Sequence, residues 1–355
     1  MSKLSFALIG CGSIARKHAQ ALHEYLDDAE IGAFVDRDLS RAQEFSKKYG
    51  APAFSSVRDM MAATGDRIDV FSVLTPSGVH CANALELVSY GRPLVVEKPL
   101  ALRLEDADRM LEACDAQGVK LFVVHQNRCN LPIVKAREAL EQGRFGKLVL
   151  GTVRLRWTRD QKYYDSESWR GTWAYDGGVF MNQAVHHIDM LTWFMGNVES
   201  VRSMASTRLV KIECEDTGVA VIRYSSGALG VLEATTATRP KDLEGSISIL
   251  GEKGSVVIGG FFMNELVTWN FEDKQPIDDV VFEKYGKNPP TPGYNHGEYL
   301  RGVISSVQTK KAALVDGLEG RKSLELITAL YESIETNADV QLRFRPKQCR
   351  LGLAS

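Results

Sequence analysis

Lys3-Leu4-Ser5-Phe6-Ala7-Leu8-Ile9-Gly10-Cys11-Gly12-Ser13-Ile14-Ala15 is the stretch that decides the fold of this chain. Its first seven residues form a mostly apolar run that reads as a buried strand. Two glycines follow at once, and a helical pattern is predicted over residues 14–25. A second strand, residues 31–35, ends in Asp36. Strand, tight glycine turn, helix and terminal acid are the parts of a dinucleotide-binding unit. Gly10 permits the sharp turn, and Gly12 lets the backbone approach a pyrophosphate without a Cβ in the way. Ala15 is small enough for close helix–strand packing. The N–H groups of a helix opening at Ser13 and Ile14 point toward the phosphates. Asp36 can accept hydrogen bonds from both hydroxyls of an adenosine ribose and would repel a 2′-phosphate, which favours NAD over NADP. Arg37 beside it could instead pair with such a phosphate.

Through about Arg128 apolar runs alternate with amphipathic helices, the pattern of a parallel sheet. Strands are predicted at 4–9, 31–35, 70–73, 94–96 and 121–124, with helices at 14–25, 40–49, 58–63, 80–90 and 104–117. After Pro132 the texture changes. A helix near 132–142 leads into strands at 148–157, 198–207, 218–224, 228–236, 245–250 and 254–258, several with polar and apolar residues alternating as in a half-exposed antiparallel sheet. Helices near 298–308 and 321–337 close the pattern. The fold class is therefore α/β, with a dinucleotide-binding domain at residues 1–128 and a second domain at 129–355. A broad free sheet face is usually covered by helices or by another subunit, so a homo-oligomer is expected.

The chain has 355 residues, long enough for two cores, with 44% hydrophobic and 25% charged residues and a formal net charge of −2. That balance gives no sign of nucleic-acid binding. No apolar run reaches the length of a membrane span, and no charged-then-apolar leader is seen at the N-terminus. The six cysteines, Cys11, Cys81, Cys114, Cys129, Cys214 and Cys349, show no close pairing. They read as reduced thiols of a cytoplasmic protein, with no metal site.

Four segments carry candidate chemistry. Thr75-Pro76-Ser77-Gly78-Val79-His80 follows the third strand, where cofactors dock in such sheets; Thr75 or Ser77 could equally cap the helix beginning at His80. Glu97-Lys98-Pro99 places a lysine at a strand end, where its charge can stabilise an alkoxide as hydride leaves. A solvated lysine paired to Glu97 is the plain alternative. In Gly177-Gly178-Val179-Phe180-Met181-Asn182-Gln183-Ala184-Val185-His186-His187-Ile188-Asp189, helix from Val179 would put Asn182 and His186 one turn apart on one face. Asn182 could then orient the imidazole for proton transfer, and Asp189 could bond its other nitrogen or cap nearby backbone. Last, Arg154, Arg156, Trp157, Arg159, Tyr163, Tyr164, Trp169, Arg170 and Trp173 combine guanidiniums with aromatic faces, which suits an anionic, ring-bearing ligand. An amphipathic edge strand with core tryptophans would look the same.

The Gly-x-Gly-x-x-Ala turn, Glu97-Lys98-Pro99 and the Gly-Gly segment ending in His186 and Asp189 resemble the oxidoreductase family named for glucose–fructose oxidoreductase, inositol dehydrogenase and rhizopine catabolism (Gfo/Idh/MocA). The resemblance runs through nearly the whole chain. It implies a Rossmann domain followed by an α/β domain with a large open, mostly antiparallel sheet, assembled as a dimer or tetramer. It implies that Lys98 and His186 flank the reacting carbon of a sugar or polyol at the nicotinamide, and that Gln126 joins the cofactor site. Many members carry aspartate where this chain has Asn182, which cannot take a proton, so His186 or Lys98 must accept it.

Finer features, Phe122-Val123-Val124-His125-Gln126-Asn127-Arg128, Tyr163-Tyr164, Trp169-Arg170-Gly171-Thr172-Trp173 and Met181-Asn182-Gln183, are similar to bacterial UDP-sugar 3-dehydrogenases. Those enzymes oxidise the 3-hydroxyl of UDP-N-acetylglucosaminuronic acid on the route to surface polysaccharide sugars. The resemblance gives Lys98, Arg128, Arg159, Tyr163, Tyr164, Arg170, Asn182, Gln183 and His186 to the substrate. It gives Gly10, Gly12, Ser13, Ile14, Asp36, Arg37, Thr75, Ser77, His80, Glu97, Lys98 and Gln126 to NAD. A free-sugar or myo-inositol dehydrogenase and a non-catalytic NAD sensor are the alternatives.

Overall fold

The structure, a computed structural model, describes residues 3–342 and 351–352. The chain forms two compact units. The first comprises residues 3–101, 105–126 and 290–321; the second comprises 102–104, 127–289 and the described residues from 322 on. A single cut after residue 128 thus does not separate them, because residues 290–321 return to the first unit.

The first unit is built on six parallel strands, β1 (Leu4–Ile9), β2 (Ala29–Val35), β3 (Ala53–Phe54), β4 (Val70–Val73), β5 (Leu94–Val96) and β6 (Leu121–Val123), in the order β3-β2-β1-β4-β5-β6. The order reverses beside β1, which is the switch point where ligands dock in open α/β sheets. β1, β4, β5 and β6 are apolar runs buried on both faces, as a helix-covered parallel sheet demands. The crossovers carry α1 (Ala15–Gln20), α2 (Leu39–Tyr49), α3 (Val57–Thr64), α4 (His80–Val88) and α5 (Leu104–Ala116). Asp38 caps α2 by accepting from the Ser40 N–H, and Ser56 caps α3 by accepting from the Asp59 N–H. A π-helical turn, Ala21–Tyr25, continues α1.

In the second unit α6 (Leu131–Glu141) precedes β7 (Leu148–Arg156). Then come α7 (Gln161–Asp165), α8 (Val185–Met195), β8 (Val198–Ser206), β9 (Thr217–Tyr224), β10 (Leu229–Thr235), β11 (Glu244–Gly251), β12 (Gly254–Gly259), β13 (Glu265–Phe271) and α9 (Val281–Tyr285). α10 (Tyr294–Thr309) belongs to the first unit, α11 (Gly317–Thr336) follows, and β14 (Val340–Gln341) is the last strand described. The second sheet runs β13-β12-β11-β7-β10-β9-β8-β14 and is antiparallel except for the β7–β10 pair. The inner residues Val153, Leu155, Ala220, Ile222, Leu232, Ile247 and Ile249 form its core with α8. Gly151 is where α8 crosses β7, since a Cβ there would lie 2.7 Å from Met195 Sδ and 2.8 Å from Leu191 Cδ1. On the other face Met204, Val219, Val221, Leu229 and Val231 are exposed.

Candidate functional site

The glycine turn is built as its sequence implies. Gly10 has φ +98°, and a Cβ on it would sit 2.9 Å from the Leu74 carbonyl carbon at the end of β4. A Cβ on Gly12 would meet nothing within 4 Å, so the space beside this backbone is open to a ligand. Asp36 ties the turn to the end of β2: one carboxylate oxygen accepts from the Cys11 N–H at 2.8 Å and the other from the Asp38 N–H at 2.9 Å. Arg37 is exposed beside it. Cys11 is a packing residue, as burial, followed by the charge of Asp36, pushes its thiol up to about 12. Cys349 lies outside the described residues; Cys11, Cys81 and Cys114 are buried free thiols.

Beyond β4, Thr75 donates to Asn83 Oδ1 at 2.8 Å, and no side chain caps α4, so neither Thr75 nor Ser77 serves as its cap. His80 was expected to face the cofactor. Instead it is buried, with Nδ1 2.9 Å from the Pro99 carbonyl and Nε2 2.9 Å from the Thr75 carbonyl. Both ring nitrogens face backbone carbonyls, one of which accepts the N–H of the neutral ring, and burial lowers the pKa of the ring. Glu97 is also tied to protein groups: its carboxylate is buried, with Oε1 2.9 Å from His18 Nε2 and Oε2 accepting from the Lys98 N–H at 3.0 Å. Burial opposes its ionisation, yet the His18 hydrogen bond and electrostatic interaction with His18, His296 and Lys98 bring it down to about 2. Gln126 is buried in a 3-10 turn after β6.

His18, Glu97 and His296 bring one potential metal-ligand atom each within 4.8 Å of the others. Sequence spacing hid this trio, because its members come from α1, the end of β5 and α10. Hydrogen bonds already engage both Glu97 oxygens, so the cluster reads as a buried polar network rather than an open coordination site.

The second unit holds the other candidate residues. Residues Val179–Gln183 form a π-helical turn, and α8 begins only at Val185, so Asn182 and His186 straddle a junction rather than share one α-helix. The Asn182 amide donates to Asp176, whose other oxygen accepts from the Gly171 N–H at 2.7 Å. Gln183 Nε2 donates to Asn182 Oδ1 at 3.1 Å and to Tyr163 Oη at 3.0 Å. Arg170 Nη1 donates to the same Tyr163 oxygen at 2.7 Å. The guanidiniums of Arg170 and Arg159 lie 4.4 and 5.2 Å from the Tyr163 ring centroid. Asp176, directly before the double glycine, was not singled out from the sequence. His186 stands in the first turn of α8, largely buried.

Two residues expected at the substrate are held by groups of the protein itself. Arg128 is buried in a bidentate pair with Asp189, at 2.8 and 2.7 Å, and lies over the Trp193 ring. Asp189 therefore serves Arg128. Tyr164 is buried with its hydroxyl 3.2 Å from Thr236 Oγ1, and burial pushes it up to about 12. Arg156 pairs with Glu233 and Glu244 on the open sheet face, where Arg154 reaches toward Glu244, while Trp157 and Trp173 are core. That part of the aromatic–arginine stretch is the amphipathic strand. Arg159, Tyr163 and Arg170 remain as a polar wall.

A further group was silent in the sequence. Glu215 is buried and accepts from the Phe180 N–H at 3.0 Å and from the Tyr331 hydroxyl at 2.7 Å, which anchors the π-helical turn. Burial pushes its carboxyl up to about 7.

The comparisons agree with this geometry. Residues 4–125 match the family model described as an oxidoreductase family NAD-binding Rossmann fold, and residues 137–342 match its C-terminal alpha/beta domain. The WlbA dehydrogenase from Bordetella pertussis, solved with NADH and UDP-GlcNAcA, is 43% identical with a TM-score of 0.92, over 96% of this chain and 98% of that one. The enzyme of the same name from Chromobacterium violaceum, also solved with NADH and UDP-GlcNAcA, is 40% identical with a TM-score of 0.90, over 97% of each chain. Myo-inositol 2-dehydrogenase of Thermotoga maritima is 27% identical over 96% of this chain and 98% of its own length. No helix among the described residues is long and apolar enough to cross a membrane. With both of its domains matched in order, the chain belongs to the Gfo/Idh/MocA oxidoreductase family and is an NAD-dependent dehydrogenase acting on sugar or polyol hydroxyls.

Proposed function

We propose that this enzyme oxidises the 3-hydroxyl of UDP-N-acetylglucosaminuronic acid, in the supply of sugars for surface polysaccharide. The carrying observation is the wall of Arg170, Tyr163, Gln183, Asn182 and Asp176. Tyr163 Oη accepts from two groups that can only donate, so its own hydroxyl hydrogen is left for an acceptor on the ligand. Two guanidiniums flank that phenol. A donor set of this kind suits a carboxylate or pyrophosphate, which an inositol lacks. The two WlbA structures with UDP-GlcNAcA support the same reading.

Gly10, Gly12, Ser13, Ile14 and Asp36, with Arg37, Thr75 and Ser77 nearby, would hold NAD, which would supply the acceptor for the hydride lost from the C–H bond. The O–H proton goes to protein, and the substrate is left as a ketone. The Lys98 ammonium hydrogen-bonds the hydroxyl and favours its alkoxide, and His186 takes the proton. Asn182 and Gln183 orient the ring. Lys98→Ala and His186→Ala are each expected to lower kcat by roughly a hundredfold or more while NADH affinity stays near wild type.

The test is NADH formation from a panel of UDP-GlcNAcA, UDP-GlcNAc, free glucose and myo-inositol. Turnover confined to the UDP-uronate supports the reading; turnover of myo-inositol with none of either UDP-sugar overturns it. The inositol dehydrogenases among the relatives make a free polyol the second reading. We further propose that the apolar outer face of the second sheet joins copies of this chain into a dimer or tetramer in the cytoplasm.

A further inference from the structure

We propose that His18 is a positioning residue for Lys98, acting through the carboxylate of Glu97, which extends the role given to Lys98 above. His18 lies on α1, the helix that follows the glycine turn, and is fully buried. Its Nε2 is 2.9 Å from Glu97 Oε1. Glu97 Oε2 folds back to accept the N–H of Lys98, the next residue, at 3.0 Å, while the Glu97 N–H donates to the Val73 carbonyl at 3.0 Å. The carboxylate therefore fixes the direction in which the chain leaves β5 and presents Lys98. His18 in turn fixes the carboxylate.

The far side of the lysine is held in a matching way. His80 of α4 meets the carbonyl of Pro99, so the residues before and after Lys98 are each fastened by a buried imidazole. A surface glutamate could supply a counter-charge for Lys98 with no desolvation. Burying the group is unfavourable unless its oxygens are hydrogen-bonded, and here both bonds go to one imidazole and one peptide. This carboxylate is built to hold backbone. It also links the turn expected to carry the cofactor to the segment expected to carry the chemistry.

The charged and titratable groups facing Glu97 are His18 from α1, His296 from α10, His80 from α4 and Lys98 itself. His296 meets the His18 ring edge-on at a centroid distance of 5.7 Å, and its Nε2 is buried without a hydrogen-bond partner. Burial drives the His296 ring down to about 3, so it packs against the pair as a neutral imidazole.

The experiment uses the full-length enzyme with NAD and UDP-GlcNAcA. Glu97→Gln keeps the shape and an acceptor for the Lys98 N–H but removes the charge. We expect kcat to fall roughly ten- to hundredfold, the range seen when residues orienting a reactive group are changed. NADH affinity should stay within about threefold, and the basic limb of the kcat–pH profile should move to lower pH, because the Lys98 ammonium loses a nearby anion. His18→Leu should reproduce the loss of kcat, and His18→Gln, which restores an N–H donor, should recover most of it. A limb that stays in place in Glu97→Gln, a kcat near wild type, or loss of NADH binding would each overturn the proposal, and Glu97→Gln decides it even where His18→Leu does not fold. Retained turnover in Lys98→Ala would instead remove the catalytic role of the lysine, a separate failure read from a separate variant.

Discussion

Two hydrogen bonds, 2.8 and 2.7 Å long, fasten the Arg128 guanidinium to the Asp189 carboxylate inside the second unit, with the two side chains 2% and 1% exposed. Breaking such a pair leaves one buried charge unmatched. Arg128→Ala should cost about 3–5 kcal/mol of stability, read from urea denaturation. Arg128→Met paired with Asp189→Leu should lose much less. A single variant as stable as wild type would return Arg128 to the list of ligand contacts.

Removing one oxygen tests the polar wall. Tyr163→Phe leaves the ring between Arg159 and Arg170 but deletes the acceptor of Arg170 and Gln183. The kcat/KM for UDP-GlcNAcA should drop roughly ten- to a hundredfold, with NADH affinity unchanged. Equal losses for UDP-GlcNAcA and for NADH binding would place Tyr163 outside the substrate wall.

Cofactor choice rests on Asp36. Asp36→Ser removes the negative charge and weakens the anchoring of the turn at Cys11. NADH should bind roughly tenfold more weakly, and the ratio of NADPH to NADH affinity should rise as Arg37 meets the 2′-phosphate without opposition. Fluorescence titration with both reduced cofactors measures the ratio, and an unchanged ratio contradicts the assignment.

Glu215 makes the second unit sensitive to pH. Its folded-state pKa is raised by burial from the ordinary 4.5 to about 7. Between those values the folded chain binds a proton that the unfolded chain does not. Its contribution is therefore complete below about pH 4.5 and disappears as pH climbs through 7, a span of roughly 3 kcal/mol. Thermal midpoints of wild type should fall relative to Glu215→Gln between pH 5 and 7.5; parallel curves would argue that the carboxyl stays ionised throughout.

The open sheet face offers a direct test of assembly. Val221 is 58% exposed amid Met204, Val219, Leu229 and Val231. If this face joins copies of the chain as proposed, Val221→Asp should lower the mass in light scattering to that of a monomer with the fold retained. An unchanged mass would move the interface elsewhere.

Much of this was legible where the determinants are local. Gly10, Gly12 and Asp36 announce the cofactor turn because the backbone conformation and the open space they provide belong to those residue types alone. Contacts between residues distant in sequence were not legible. Nothing near Arg128 signals that Asp189, 61 positions on, will bury it, nor near His18 that Glu97, 79 positions on, will meet it. The π-helical turn before α8 also escaped, since five residues shift the ladder without altering the apolar pattern. β13 was missed because a register shift opposite Val257 and Ile258 leaves Val267 outside, spacing the buried Leu266 and Trp269 three apart instead of two. β3 and β14, two residues each, are too short for any periodicity.

Residues 290–321 rejoin the first unit only after every strand through β13 has been laid down. They bring Tyr299, whose hydroxyl donates to the Val123 carbonyl at 2.6 Å, and Gly297, where any larger residue would strike the Tyr25 ring. A nascent polypeptide that has emerged only to residue 126 therefore lacks the piece that seals its nucleotide-binding half. Maturation of that half waits on late translation.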